Sequence, residues 1–356
     1  MSPMFVPGPV DVAPEVLAAQ AQPMLPHRGK EFEAIFQRAS EKSKQLFFTQ
    51  SRVYLFTASG TGCQEAAIRN LVNERVLVCV NGAFSARWQE VAASNGKTAD
   101  KIEVPWGQAV LPEMVAEALT KGKYDAITLV HNETSTGVQN PVREIAAVVK
   151  QVSPETLVCV DAVSSLGGAK IEMDARGIDL LFTSSQKCLA LPPGLALCAV
   201  NERAMQRAEQ VPERGWYFDL LRMEKHRTRD STPATPAMSL IYALDFQLDR
   251  ILSEGCEARF ARYSAMAQRV QDWALARDLE LYAAEGYRSQ TVTTITNTRS
   301  IDIAALNTFL LQRGMRIANG YGMLKGKTFR IAHMGETQME DIERLLEAID
   351  VYLGNI

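Results

Sequence analysis

Thr156-Leu157-Val158-Cys159-Val160-Asp161 is an apolar run closed by an acid, and it reads as a buried strand with Asp161 at its C-terminal end. Its surroundings repeat the pattern. Strand-like runs recur at residues 53–56, 76–80, 127–130, 180–182 and 195–200, and helix-compatible stretches at 64–72, 84–93, 112–119 and 142–149 separate most of them. A further helical pattern covers residues 32–46. Parallel strands cannot be joined by a tight hairpin and need crossovers. The alternation therefore predicts an α/β fold with a mostly parallel sheet covered by helices on both faces. Open sheets of this kind place ligands beyond the C-terminal strand ends, which puts Asp161 at a candidate site.

The rhythm changes after about Thr235. Residues 238–252 and 258–275 read as two long helices with no strand between them, and a small α+β unit follows: strand 292–295, helix 303–312, strand 329–331 and helix 338–353. A chain of 356 residues exceeds what one core usually holds. The expected division is an N-terminal arm (1–20), a large domain (21–253) and a small C-terminal domain (254–356).

The net charge of −3 and a pI near 5.9 leave no basic excess for phosphate backbones or anionic lipid, so neither nucleic acid nor a membrane is an expected partner. No apolar run approaches membrane-spanning length. The six cysteines lack CxxC spacing, and Cys79 and Cys159 sit inside apolar runs where a thiol acts as a small hydrophobe. No metal is expected. The opening residues hold no basic segment followed by a long apolar stretch, and the expected compartment is the cytoplasm.

Three motifs carry the chemistry. Ser59-Gly60-Thr61-Gly62-Cys63 follows a strand and opens a helix, a turn that aims unpaired N–H groups and a positive dipole end at an anion. It matches neither the Walker A pattern nor the dinucleotide fingerprint, and a plain glycine-containing turn is the competing reading. Asp161 reads either as a helix cap or as the charge-assisted partner of a protonated heterocycle nitrogen. Lys187, in Ser185-Gln186-Lys187-Cys188-Leu189, follows another buried strand among small, polar and apolar residues. A lysine in such a partly desolvated pocket reaches the neutral form that attacks an aldehyde, whereas most lysines are solvated surface residues.

Together these residues resemble the class V group of fold-type I pyridoxal-phosphate enzymes, in its alanine-glyoxylate and serine-pyruvate aminotransferase branch. The segments that carry the resemblance are Pro7-Gly8-Pro9, Ser59-Gly60-Thr61-Gly62, Asn81-Gly82-Ala83-Phe84, residues 131–137 (His-Asn-Glu-Thr-Ser-Thr-Gly), residues 160–168, Ser185-Gln186-Lys187, Thr235-Pro236 and Arg330. They span nearly the whole chain in the family's order.

The resemblance implies a large cofactor-binding domain with a small α+β domain, and pyridoxal 5'-phosphate as cofactor. It makes Lys187 the lysine that holds the cofactor as a Schiff base and Asp161 the partner of its ring nitrogen. Thr61, Gly62 and Cys63, helped by Gln186, would cradle the phosphate, with Cys63 standing where relatives carry His. Phe84 would stack on the ring, Val163 would pack its opposite face, and Thr134 would lie beside it. Thr235 would reach the phosphate of a neighbouring subunit, implying a homodimer with shared sites. Arg330 would grip the substrate α-carboxylate, where a plain surface arginine is the competing reading, and Gly8 would lie on the substrate side.

The implied activity moves an amino group from a small α-amino acid, alanine or serine, to a 2-oxo acid, glyoxylate or pyruvate, in a ping-pong scheme using one site. Aspartate is the alternative donor, suggested also by residues 214–220 (Arg-Gly-Trp-Tyr-Phe-Asp-Leu), and it needs a second cation that His27-Arg28 could supply, where a solvated basic pair is the competing reading. Three other readings are weaker. A cysteine desulfurase would have His before the lysine and a late reactive cysteine, whereas Gln186 stands there and no cysteine follows Cys256. A dinucleotide oxidoreductase would need the glycine fingerprint. A catalytically silent interaction subunit would not need Lys187, Asp161 and Arg330 intact.

Overall fold

The computed structural model describes residues 4–354. Its central sheet has seven strands in the order Arg52–Phe56, Ala196–Val200, Leu180–Ser184, Leu157–Asp161, Ala126–Val130, Arg75–Val80 and Thr98–Glu103. Only Ala196–Val200 runs against its neighbours, and the remaining pairs are parallel. The expected mostly parallel α/β sheet is therefore present.

Strand periodicity sorts the side chains into two layers. Val158 and Val160 join Ile127, Leu129 and Leu181 in one core with helices Lys30–Phe47 and Val142–Val152, whereas Leu157 and Cys159 join Ala126, Val130, Leu180 and Phe182 on the other face. Alternate residues thus bury against opposite helix layers, which is why these strands read as continuous apolar runs. Thr98–Glu103 was not expected as a strand. It is an edge strand of polar and charged residues with an exposure pattern to match, the composition that keeps a sheet edge from pairing with another chain.

A second sheet has five strands, ordered Met4–Phe5, Arg316–Asn319, Thr328–Ala332, Val292–Thr296 and Glu280–Leu281. Met4–Phe5 pairs in parallel with Arg316–Asn319, so the start of the expected arm adds a strand to this C-terminal sheet. A separate core of Phe5, Tyr263, Trp273, Phe329 and Ile349 lies beneath it. Helix Met238–Glu254 ends at Gly255, whose φ of 85° turns the chain into helix Cys256–Leu275. Positions 1–3 of the expected arm and 355–356 of the expected C-terminal domain lie outside the described residues. Among the described residues no helix is long and apolar enough to cross a membrane, and no cluster of His, Cys, Asp and Glu is placed to hold a metal ion.

The parallel register brings Val130 level with Asp161 and Asp161 level with Phe182. The loops leaving these strand ends, together with the turns after Phe56 and Val80, converge on one edge of the sheet. That edge is where the candidate residues meet.

Candidate active site

Asp161 is the last residue of its strand and is 6% exposed. Its Oδ1 accepts from the Val163 amide at 2.9 Å and its Oδ2 from Gln64 Nε2 at 3.0 Å. Burial pushes its carboxyl up to about 7, against the two hydrogen bonds and the positive charge of Arg87, which favour the ionised form.

Lys187 sits in the turn after Leu180–Ser184 and is 8% exposed. Burial brings its amine down to about 8, and the nearby charge of Arg330 adds to this. Nζ donates to the Pro7 carbonyl. The next residue, Gly8, has φ +83° and lies against the lysine stem, where a Cβ would fall 2.5 Å from Lys187 Cδ. Only glycine fits that approach.

Both residues line a cavity of about 190 Å³. Helix Gly60–Leu71 opens onto it with no side-chain cap from Ser59; the Gly62 amide donates to the Ser59 carbonyl at 2.9 Å, and the Gly60 and Thr61 amides ahead of it are left for an anion. Ser59, Gly60 and Thr61 line the cavity. Gly62 and Cys63, expected in the phosphate cradle, do not. A Cβ on Gly62 would meet Ala58 and Phe218, and Cys63 is fully buried in the core with Tyr54, Phe56 and Cys198. The helical turn rotates these two side-chain positions away from the opening. Burial holds the Cys63 thiol well above its usual range.

Phe84 and Arg87 also line it, three residues apart on helix Ala83–Ser94. The Arg87 guanidinium lies 5.1 Å from the Phe84 ring centroid, and its Nη1 donates to Thr61 Oγ1 at 3.3 Å. Tyr321 also packs against Phe84, with centroids 5.1 Å apart. The start of this helix is anchored by fully buried Glu133, which accepts from the Ser85 amide at 2.8 Å and from Ser135 Oγ at 2.6 Å. Val163, Thr134 and Gln186 complete the expected lining, and Asn132 and Ser164 join it.

Arg330 comes from strand Thr328–Ala332 of the second sheet and is 7% exposed. Its Nη1 donates to the Thr134 carbonyl and its Nε to the Asn319 carbonyl, each at 3.1 Å. Burial lowers its guanidinium to about 10. Arg330 and Gly8 are not lining residues themselves but each touches one, Arg330 at Thr134 and Gly8 at Lys187, whereas Thr235 and Arg28, like Gly62 and Cys63, are not brought to the cavity. Thr235 is exposed in a separate crevice with Trp216 and Tyr217. Arg28 is exposed on the surface near His226.

The cavity fits pyridoxal phosphate. It offers a poorly solvated amine, a buried acid, apolar side chains in Phe84 and Val163, and an uncapped helix start. Gln64 Oε1, Asn132 Oδ1 and Gln186 Oε1 are buried without a partner, and all three residues line the cavity, as expected of a site that a polar ligand completes. Gln64, Arg87 and Tyr321 were missed from sequence. Helical spacing carried a signal for two of them, since Gln64 lies four residues after Gly60 and Arg87 three after Phe84.

Over residues 14–345 the sequence matches the family described as Aminotransferase class-V. The chain belongs to the class-V aminotransferases. It is 38% identical to an uncharacterized aminotransferase of Methanocaldococcus jannaschii, covering 99% of this chain and 93% of that one. It is 35% identical to the L-aspartate–glyoxylate aminotransferase of Paracoccus denitrificans, covering 94% and 86%. Among solved structures, an aspartate aminotransferase of Thermus thermophilus superposes with a TM-score of 0.92 at 33% identity, covering 99% of both chains. An alanine–glyoxylate aminotransferase of Nostoc sp. does so with 0.93 at 28% identity, covering 99% and 96%. This class-V aminotransferase is therefore a transaminase of fold type I that uses pyridoxal phosphate.

Proposed function

We propose that this aminotransferase moves the amino group of a small α-amino acid, alanine or serine, to glyoxylate or pyruvate, using one site for both half-reactions. The observation that carries this reading is Arg330. Its guanidinium is buried beside Thr134, its protein acceptors are backbone carbonyls, and among the described residues no carboxylate forms a salt bridge with it. A buried cation without a counter-ion selects an anionic substrate group, and the planar guanidinium suits the two oxygens of an α-carboxylate.

Bound pyridoxal phosphate supplies an electron-withdrawing ring that takes up charge from the substrate Cα. In this reading Lys187 holds the cofactor and, once free, its Nζ accepts the Cα proton. Its lowered pKa makes the neutral amine accessible near neutrality. Asp161 would keep the ring nitrogen protonated, Phe84 and Val163 would pack on the ring, and Ser59, Gly60, Thr61 and Gln186, all lining the cavity, would hold the phosphate. Exposed Thr235 would complete the phosphate site of a second subunit in a homodimer. The arm (1–20), large domain (21–253) and small domain (254–356) complete the proposed organisation, and the proposed compartment is the cytoplasm.

Aspartate is the second reading, and Arg87 favours it. Arg87 lines the cavity and has no carboxylate in salt-bridge range among the described residues, whereas exposed Arg28 is outside it. The names of the Paracoccus and Thermus relatives support the same alternative. Single-turnover absorbance changes with alanine, serine and aspartate decide between the two. Fast reaction with alanine or serine supports the first reading. A preference for aspartate that Arg87→Gln abolishes, with alanine unaffected, overturns it in favour of the second.

A further inference from the structure

Gln64 is a polar wall of the cavity. It sits one turn into helix Gly60–Leu71, is 2% exposed and lines the cavity. Its Nε2 donates to Asp161 Oδ2 at 3.0 Å, while its Oε1 is buried with no partner. A side-chain amide left half-satisfied in this way is costly to bury, and a leucine or methionine would fill the space without that cost. The one hydrogen bond it makes goes to the acid of the site.

We infer that Gln64 is a positioning residue for Asp161, holding Oδ2 in place and keeping the carboxylate ionised so that it can hold a protonated ring nitrogen. This rests on the reading that Asp161 faces that nitrogen. The Val163 amide fixes Oδ1 and Gln64 fixes Oδ2, so the carboxylate is held at both oxygens and cannot rotate. Both contacts are donors, and a donor stabilises the ionised form against the burial that favours the neutral one. The Val163 amide is main chain and is present whatever residue stands at 64. Gln64 is the adjustable half. If its amide turned over, Oε1 would face Oδ2, acceptor against acceptor, which only a protonated Asp161 would tolerate. The amide orientation and the charge on Asp161 therefore support each other. Gln64 also joins the two ends of the site, because the same helix begins at the Ser59–Thr61 turn.

The test uses holoenzyme reloaded with cofactor carrying nitrogen-15 in the ring, and compares wild type, Gln64→Met, Gln64→Glu and Asp161→Asn. In Gln64→Met the ring-nitrogen resonance at pH 7 should move toward the unprotonated position. Its single-turnover rate with amino acid should fall about 10- to 150-fold, as for loss of one hydrogen bond to a charged group, with little change in the substrate concentration for half-maximal rate. In Gln64→Glu the introduced carboxyl donates only while protonated, so resonance and rate should approach wild type at low pH and depart from it as pH rises. Wild-type resonance and rate in Gln64→Met, or a pH-independent Gln64→Glu, overturns the inference. Should Gln64→Met not fold, Gln64→Glu carries the decision alone. Asp161→Asn separates the two layers: if it leaves the resonance unmoved, the assignment of Asp161 itself falls. If it moves the resonance while Gln64→Met does not, only the role of Gln64 falls.

Discussion

Replacing Arg330 by lysine tests how substrate is held. The guanidinium spends Nε on the Asn319 carbonyl and one Nη1 hydrogen on the Thr134 carbonyl, both at 3.1 Å, and keeps its other N–H groups for a ligand. Lysine presents a compact point charge at the end of a flexible stem. It cannot hold those carbonyls and also meet both oxygens of a carboxylate in one plane. Loss of one hydrogen bond to a charged group costs about 1.5–3 kcal/mol, equivalent to roughly 10- to 150-fold in rate. Arg330→Lys should therefore lower kcat/KM for alanine, serine and aspartate alike by about that factor. Amines without a carboxylate should be affected far less. The covalent hold proposed for Lys187 on the cofactor should survive, because Lys187 belongs to the other sheet's loops. Single-turnover absorbance kinetics with each amine measures the first effect, and the mass of the hydride-reduced protein measures the second. A thermal melt run alongside reports any loss from the two carbonyl contacts. Equal losses with carboxylate-bearing and carboxylate-free amines, or unchanged kinetics with all, would refute the clamp.

Two further outcomes follow from the geometry. In cofactor-free enzyme, burial raises the Asp161 carboxyl from 3.8 to about 7, so the folded state holds its proton more tightly than the unfolded chain. Its contribution to stability is complete below pH 4 and lost as pH rises toward 7, on the order of 4 kcal/mol. Asp161→Asn should flatten the stability curve over that window, and denaturant melts with curves parallel to wild type would count against it. Gly8→Ala places a methyl 2.5 Å from Lys187 Cδ and 2.8 Å from the Gln186 carbonyl, at φ +83°. It should reduce the fraction of Lys187 that carries cofactor after hydride reduction, and a wild-type fraction would show that the Pro7–Gly8 segment yields freely.

Much of this protein was legible in one dimension because its strands are buried on both faces. A residue such as Val158 must be apolar whichever helix layer it meets, so continuous apolar runs marked the sheet, and the acid after Val160 and the lysine after Gln186 marked the edge where the cavity lies. Elements lacking that signature escaped. Thr98–Glu103 is an edge strand whose exposed charges hide it, and Met4–Phe5 and Arg316–Asn319 are short strands that exist through their pairing with each other and, for Arg316–Asn319, with Thr328–Ala332. Within the site, Lys187 and Asp161 announced themselves by residue type in an apolar setting. Which of Ser59, Gly60, Thr61, Gly62 and Cys63 face the cavity depended on the phase of one helical turn, and only packing sets that phase: Val163 lies where a Cβ on Gly60 would go, and Ala58 and Phe218 where one on Gly62 would go. Gln64, Arg87 and Tyr321 are ordinary polar and aromatic residues in a list. They enter the site because a helix, a second helix and the far sheet converge on one strand edge, and convergence across the chain is a property that tertiary structure alone decides.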